Sequence, residues 1–258
     1  MKPKFNITLQ PEFKSLDRFV TEVAQHGLPA DVTEVYRSRN RIVWCAREGY
    51  KINIKAFKLP NKLNEFVYAT LRKSKAERSY LNALQLRALG FATPVPVAFV
   101  EERYPARLGR SYYFSLQEEG AELRHMEDRT DRLPILTALG AEMHRLHSAG
   151  IWMKDFSPGN VLMTHAGDGE YRFKYVDLNR IEWNCHSRHK LMKMFGAIVY
   201  TPEHLRMITD GYAAARGCDP EALFAEALLY MEAFEKKKAR KKRLKKLLKR
   251  DKKRKPII

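Results

Sequence analysis

Cysteine is nearly absent. Three occur in 258 residues, at Cys45, Cys185 and Cys218, with no Cys-x-x-Cys pair. An odd, widely spaced set argues against a disulfide framework and suits a reducing compartment. No stretch approaches the ~18 apolar residues that a membrane-spanning helix needs, and residues 1–13 lack the apolar core of a secretory signal. A cytoplasmic protein is therefore expected. There is no internal repeat and no Gly/Ser linker. Disorder is disfavoured by an apolar content of 45%, ordinary for a globular chain.

Acidic charge is also scarce, but unevenly so. The net charge is +18, of which residues 236–255 carry +14 through fifteen Lys or Arg against Asp251, leaving +4 for the rest. A near-neutral body with a basic tail points to tethering rather than to a nucleic-acid-binding fold. Leu244, Leu247 and Leu248 recur among the tail lysines at i, i+3, i+4. That spacing suits a basic amphipathic helix on an anionic membrane, where each Lys or Arg contributes ~1 kcal/mol. The tail has no aromatic residues for base stacking, which counts against nucleic acid as its partner.

The first 117 residues mix strands and a helix. Residues 32–36 and 41–46 read as strands joined by the turn Arg37-Ser38-Arg39-Asn40. Residues 50–57 form a third, with Ile52, Ile54 and Ala56 alternating with polar neighbours. A helix is expected from Ser74 to Leu89, closed by Gly90, then strands at 97–100 and 111–116. Residues 133–149 read as a helix, followed by a hairpin from 161–163 through Gly167-Asp168-Gly169 to 171–176. Thr201-Pro202 and Asp219-Pro220 are cap-then-proline helix starts.

Chemistry concentrates in Met153-Lys154-Asp155-Phe156-Ser157-Pro158-Gly159-Asn160, between a helix and a short apolar strand. Asp155 and Asn160 have the Asp-x-x-x-x-Asn spacing of a kinase catalytic loop, in which the acid receives the acceptor proton and the amide holds a metal ion. Asp177 ends the next strand, where a second magnesium ligand is expected. Magnesium suits carboxylate and amide oxygens combined with phosphates. Upstream, Ile52-Asn53-Ile54-Lys55 matches the strand whose lysine grips the nucleotide phosphates, and Glu77 falls where its pairing carboxylate is expected.

These pieces, with Thr93-Pro94-Val95-Pro96 and Val176-Asp177-Leu178-Asn179-Arg180, resemble the lipopolysaccharide core kinase family across residues 32–183. The resemblance implies ATP, Mg2+, a heptose or Kdo hydroxyl as acceptor, and work at the inner face of the cytoplasmic membrane. It also implies an α+β, two-lobed protein-kinase-like fold. Residues 1–117 would form an antiparallel five-stranded sheet with one helix. Residues 118–235 would form a helical lobe, after a hinge at 117–120, and 236–258 a basic tail. The chain departs from the family pattern at Met153, where His is usual, in its glycine-free turn at 37–40, and in Asp-Leu-Asn for Asp-Phe-Gly.

Other readings remain open. Asp155 to Asn160 is rich in turn formers. Ser74-Lys75-Ala76-Glu77 also fits a capping box. Lys55 has lysine neighbours at 51 and 58. Cys185, His186 and His189 are better read as incidental than as a zinc site, and His144 and His147 follow a helical stripe. A soluble aminoglycoside- or choline-type acceptor, and a non-catalytic pseudokinase adaptor, are the rival functions.

Overall fold

Ile52 and Ile54 are fully buried and alternate with Asn53 and Lys55 along β4 (Tyr50–Ala56), the period-two pattern of a strand with two distinct faces. The computed structural model describes residues 2–61, 65, 67–68, 72–126, 129–167, 170–199 and 201–254, with backbone alone for 247–254. Asp168 and Gly169 of the expected hairpin turn, the side chains of Leu247 and Leu248, and Lys255 lie outside the described residues. The chain divides into two units: Met1–Gly120 with Lys174–Arg180, and Ala121–Phe173 with Ile181–Ile258.

In the first unit, β4 lies in an antiparallel sheet with β1 (Lys4–Leu9), β2 (Thr33–Arg37), β3 (Arg41–Arg47), β5 (Pro96–Tyr104) and β6 (Arg107–Leu116). The strand order is β1-β5-β6-β4-β3-β2. The pattern leads one to expect five strands and one helix; the sheet has a sixth strand and the unit a further helix. The added strand is β1, whose Phe5, Ile7 and Leu9 pack against the core. The added helix is α1 (Asp17–His26), whose Phe19, Val20, Val23 and Ala24 are buried at helical spacing over Val43, Ile54 and Phe114. Burying a side chain such as Ile54 or Phe114 stabilises by about 1.5–3 kcal/mol.

Helix α2 (Lys75–Ala88) covers the other face, with Tyr80 packed on Phe99 at 5.2 Å between ring centroids. Ser74 caps it by accepting from the Glu77 backbone N–H at 3.1 Å. Past its C-terminus, Gly90 takes φ +77°, which closes the helix.

The second unit is mostly helical: α3 (Arg132–Ser148), α4 (Arg188–Ile198), α5 (Pro202–Arg216) and α6 (Pro220–Arg254). Helices α3 and α5 cross at two glycines. A Cβ on Gly140 would lie 2.1 Å from the Ile208 carbonyl oxygen, and one on Gly211 would lie 2.0 Å from that of Thr137. Gly196 of α4 meets the Tyr230 carbonyl of α6 in the same way, at 2.6 Å. Only glycine permits backbones this close. The expected caps form: Thr201 Oγ1 accepts from the His204 N–H at 3.2 Å, and an Asp219 carboxylate oxygen from the Glu221 N–H at 2.9 Å.

Short strands frame the loops of this unit. β7 (Ala121–Glu122), β9 (Val161–Gly167) and β10 (Glu170–Tyr175) form one small sheet, and β8 (Trp152–Met153) pairs with β11 (Ile181–Glu182). Helix α6 is continuous from Pro220, so the basic residues from Lys236 onward prolong a packed helix. Among the described residues no helix is long and apolar enough to cross a membrane.

Candidate active site

Lys55 sits on a central strand, opposite Ile42 of β3 and Tyr113 of β6. Its flanking residues Ile54 and Phe114 fix the strand by burial, which turns Lys55 to the α2 side. The residue is only 8% exposed. A cation so enclosed needs a counter-charge, and it has one: Lys55 Nζ donates to Asp177 Oδ1 at 2.6 Å.

Asp177 reaches that position because residues 174–180 join the first unit. Bonds with Ala92, Thr93 and Asn82 help to hold the segment. The Tyr175 N–H donates to the Ala92 carbonyl at 3.0 Å, Thr93 Oγ1 to the Tyr175 carbonyl at 2.7 Å, and Asn82 Nδ2 to the Leu178 carbonyl at 2.6 Å. The strand then breaks at Asp177, which takes φ +61°. Asp and Asn enter this left-handed region more readily than most residues. Asn179 Nδ2 also donates to Oδ1, at 2.6 Å. Burial works against the Asp177 charge. Lys55, by charge and hydrogen bond, with Asn179 and Arg180, outweighs it and holds the carboxyl below its ordinary value.

The expected Lys55–Glu77 pair does not form. Glu77 lies 3.8 Å from Lys73, and its backbone N–H donates to Ser74 Oγ at 3.1 Å. That bond is the serine half of the capping box that Ser74-Lys75-Ala76-Glu77 suggests. Engaging the helix start keeps Glu77 with its own turn, so Asp177 takes the lysine. Burial and the charge of Glu101 raise the Glu77 carboxyl above its usual value, against Lys73 and Arg103.

In the second unit, Asp155 and Asn160 share one loop. Phe156, 2% exposed, anchors it in the core, and its N–H donates to the Met153 carbonyl at 3.3 Å. A 3-10 turn, Pro158–Asn160, leads into β9. Asn160 Nδ2 donates to the Asp155 carbonyl at 2.8 Å, which fixes the amide and leaves its oxygen as the acceptor. Gly159 lies beneath the Arg124 guanidinium: a Cβ there would lie 1.7 Å from Nη2, so any larger residue displaces that side chain. Arg124 pairs with Glu122. Met153, where the family pattern has His, is a buried packing residue paired with Ile181. Sequence reasoning had no signal for Arg124, which reaches the loop from 35 positions upstream.

The oxygen donors suit magnesium. Asp177 has a second carboxylate oxygen that accepts no bond from the described residues, and Asn160 offers an amide oxygen. No group of three or more His, Cys, Asp or Glu among the described residues is set to hold a metal by itself. Carboxylate and amide oxygens are donor types that magnesium takes, and each unit supplies one of them. His189, considered above for zinc, bonds Tyr230 Oη through Nδ1 at 2.8 Å.

An antiparallel sheet with a buried strand lysine, joined to a helical unit carrying an Asp-x-x-x-x-Asn loop, defines a class: the chain has an α+β, two-lobed, protein-kinase-like fold. No family model matches the sequence, and no curated protein matches it. Solved structures do. WaaP in complex with acyl carrier protein is 17% identical, covering 90% of this chain and 97% of that one, with a TM-score of 0.61. An aminoglycoside-3'-phosphotransferase of type VIII is 12% identical, with 82% and 96% covered and a TM-score of 0.55. A microcompartment-associated aminopropanol kinase is 13% identical, with 83% and 86% covered and a TM-score of 0.53. At these identities the likeness is one of fold.

Proposed function

We propose that the chain is an ATP-dependent kinase that phosphorylates a sugar hydroxyl, heptose or Kdo, of the lipopolysaccharide inner core at the cytoplasmic membrane face. The observation that carries the phosphotransferase reading is the 2.6 Å bond between Lys55 Nζ and Asp177 Oδ1 in a kinase-like fold. It joins a phosphate-binding cation to a metal-binding carboxylate. Lys55 holds the α- and β-phosphate oxygens. Asp177 and Asn160 hold magnesium, which supplies charge neutralisation at the phosphates. Asp155 orients the acceptor hydroxyl and takes its proton. The bond from the γ-phosphorus to the bridging oxygen breaks, a bond to the acceptor oxygen forms, and ADP leaves.

The acceptor assignment rests on the sequence resemblance to the lipopolysaccharide core kinases, and the fold likeness to WaaP supports it. The basic face of α6 from Lys236 onward suits an anionic membrane. A soluble cationic acceptor is the second reading, favoured by the fold likeness to an aminoglycoside phosphotransferase and an aminopropanol kinase.

The test is transfer of labelled γ-phosphate from ATP to purified core lipid, with and without anionic vesicles. Asp155→Ala and Asp177→Ala are each expected to abolish transfer. Full activity in either variant ends the assignment. Turnover of a soluble amino alcohol or aminoglycoside, indifferent to vesicles, selects the second reading.

A further inference from the structure

The loop from Asp155 to Asn160 carries one charged side chain, Asp155 itself. The Asn160 bond to the Asp155 carbonyl draws its two ends together, so Gly159 stands close to the backbone of the acid. Position 159 has no side chain, and the space above it holds the guanidinium of Arg124. A Cβ built there would lie 1.7, 2.5 and 2.9 Å from Nη2, Cζ and Nε. Two features fix that placement. β7 pairs with β9 just past the loop, Glu122 opposite Leu162 and Ala121 opposite Met163. Leu123 and Met126, both buried, then seat the 3-10 turn Leu123–His125 against the turn Pro158–Asn160.

The Arg124 side chain is 51% exposed, and Glu122 meets it at Nε. A guanidinium carries five N–H donors in a planar fork. Neither Nη1 nor Nη2 donates a hydrogen bond among the described residues. Covering Gly159 requires only a stem, and an exposed ion pair adds little stability. The free edge of the fork, by contrast, matches a carboxylate or phosphate. The carboxylate beside it, Glu122, is taken by the same arginine. A cationic acceptor would therefore meet repulsion at Gly159 and an anionic one attraction. Arg124 belongs to the unit that carries Asp155, the acid assigned to the acceptor, while Lys55 belongs to the other.

We propose that Arg124 is a specificity residue, binding a carboxylate or phosphate carried by the acceptor and so presenting its hydroxyl to Asp155. This rests on the kinase reading above and deepens it, since it makes the acceptor an anion. Glu122 holds the guanidinium over the loop and competes with the acceptor for it.

The experiment titrates the nucleotide-free full chain by calorimetry with deacylated, soluble core oligosaccharide in three forms: unaltered, with its carboxylates methyl-esterified, and with its phosphates removed. The unmodified chain should bind the unaltered form best, and one of the two treatments should weaken binding by about tenfold, the loss of one charge-assisted contact. Arg124→Gln should weaken binding of the unaltered form by a similar factor and become indifferent to that treatment. Glu122→Gln should tighten binding, because the arginine loses its competing partner. In steady-state transfer, Arg124→Gln should raise KM for the oligosaccharide while KM for ATP stays within about twofold. Melting temperatures of both variants should stay close to that of the unmodified chain.

Arg124→Gln binding every form like the unmodified chain would overturn the proposal. Equal weakening by Arg124→Gln and Glu122→Gln would mean that the pair only shapes the loop, and overturns it too. A rise in KM for ATP instead of for the oligosaccharide would assign Arg124 to the nucleotide, with the same consequence. An unmodified chain that binds none of the three forms also overturns it and turns the search to a cationic acceptor. A chain that transfers no phosphate to any acceptor ends the kinase reading, while the calorimetric series still decides whether Arg124 binds the anion.

Discussion

Lys55 and Asp177 meet at 2.6 Å across 122 residues of sequence. The side chain of Lys55 is 10% exposed and that of Asp177 29%, so the pair is neither surface decoration nor fully sealed. Asp177→Asn keeps a residue that tolerates φ +61° and removes only the charge. It should destabilise the first unit by about 2–3 kcal/mol, below the ~3–5 kcal/mol of a fully buried pair. Lys55→Met should cost a similar amount, and the double variant should recover part of the loss, giving a coupling energy of about 1–2 kcal/mol. Urea denaturation of the four proteins measures it. Additive losses would mean that the two side chains are not coupled.

The same pair sets an acid limit. The Asp177 carboxyl lies below its ordinary value of 3.8 in the folded chain. Its contribution is fully present above that value and is lost as pH falls through the lowered folded one. The unmodified chain should therefore lose stability on acidification below pH 3.8, and Asp177→Asn should lack that part of the fall. Denaturation midpoints below pH 4.5 read the difference.

His147 sets a limit in a different window. It is 8% exposed on α3, with Nδ1 bonded to Tyr212 Oη at 3.1 Å and Nε2 buried without a partner among the described residues. Burial first, then the charges of His144 and Arg216, lowers its pKa from 6.5 to about 3. The unfolded chain takes up the proton first, so stability falls as pH drops from 6.5 toward 3, by up to about 1.4 kcal/mol per pH unit. His147→Phe should flatten the second unit's response between pH 6.5 and 4. An unchanged slope would show that other groups govern it.

Gly140 and Gly211 make the α3–α5 crossing possible, since each would place a Cβ within 2.1 Å of a facing carbonyl oxygen. Alanine at either position should cost about 3 kcal/mol, because backbone rather than a flexible side chain must move. Gly217, at φ +71° with open space around it, should lose less on the same change. Thermal melts of the three variants rank them.

Gly159 is crowded by a movable neighbour. Its hypothetical Cβ would meet the Arg124 guanidinium. Gly159→Ala should therefore change stability by less than about 1 kcal/mol, yet displace Arg124 from the Asp155–Asn160 loop and reduce phosphate transfer. Adding Arg124→Ala removes the clash, so the double variant should match Arg124→Ala alone. A further drop in the double variant would place the effect in the loop backbone itself.

Much of this was legible in local pattern. Ile52, Ile54 and Lys55 show a two-faced strand, and Ser74, Gly90, Thr201 and Asp219 mark helix ends by their own chemistry. The alternation of Phe5, Ile7 and Leu9 and the spacing of Phe19, Val20, Val23 and Ala24 were equally present. They add the sixth strand and α1 once segments other than a signal core are sought at the N-terminus. What local pattern does not carry is partner choice. Ser74 to Glu77 fits a cap and an ion pair alike, and only the distant arrival of Asp177 decides between them. The close helix crossings at Gly140 and Gly211 are likewise invisible until the partner helix is in place.

The first unit is assembled from two separate stretches, ending at Gly120 and resuming at Lys174. During synthesis on the ribosome, the sheet emerges well before the short returning stretch. Until Asp177 leaves the exit tunnel, the ammonium of Lys55 has no native counter-ion. The amino-terminal half therefore cannot finish folding in the order in which it is made. A nascent chain stalled after Gly120 should remain a chaperone client, and release through Arg180 is the earliest point at which it can mature.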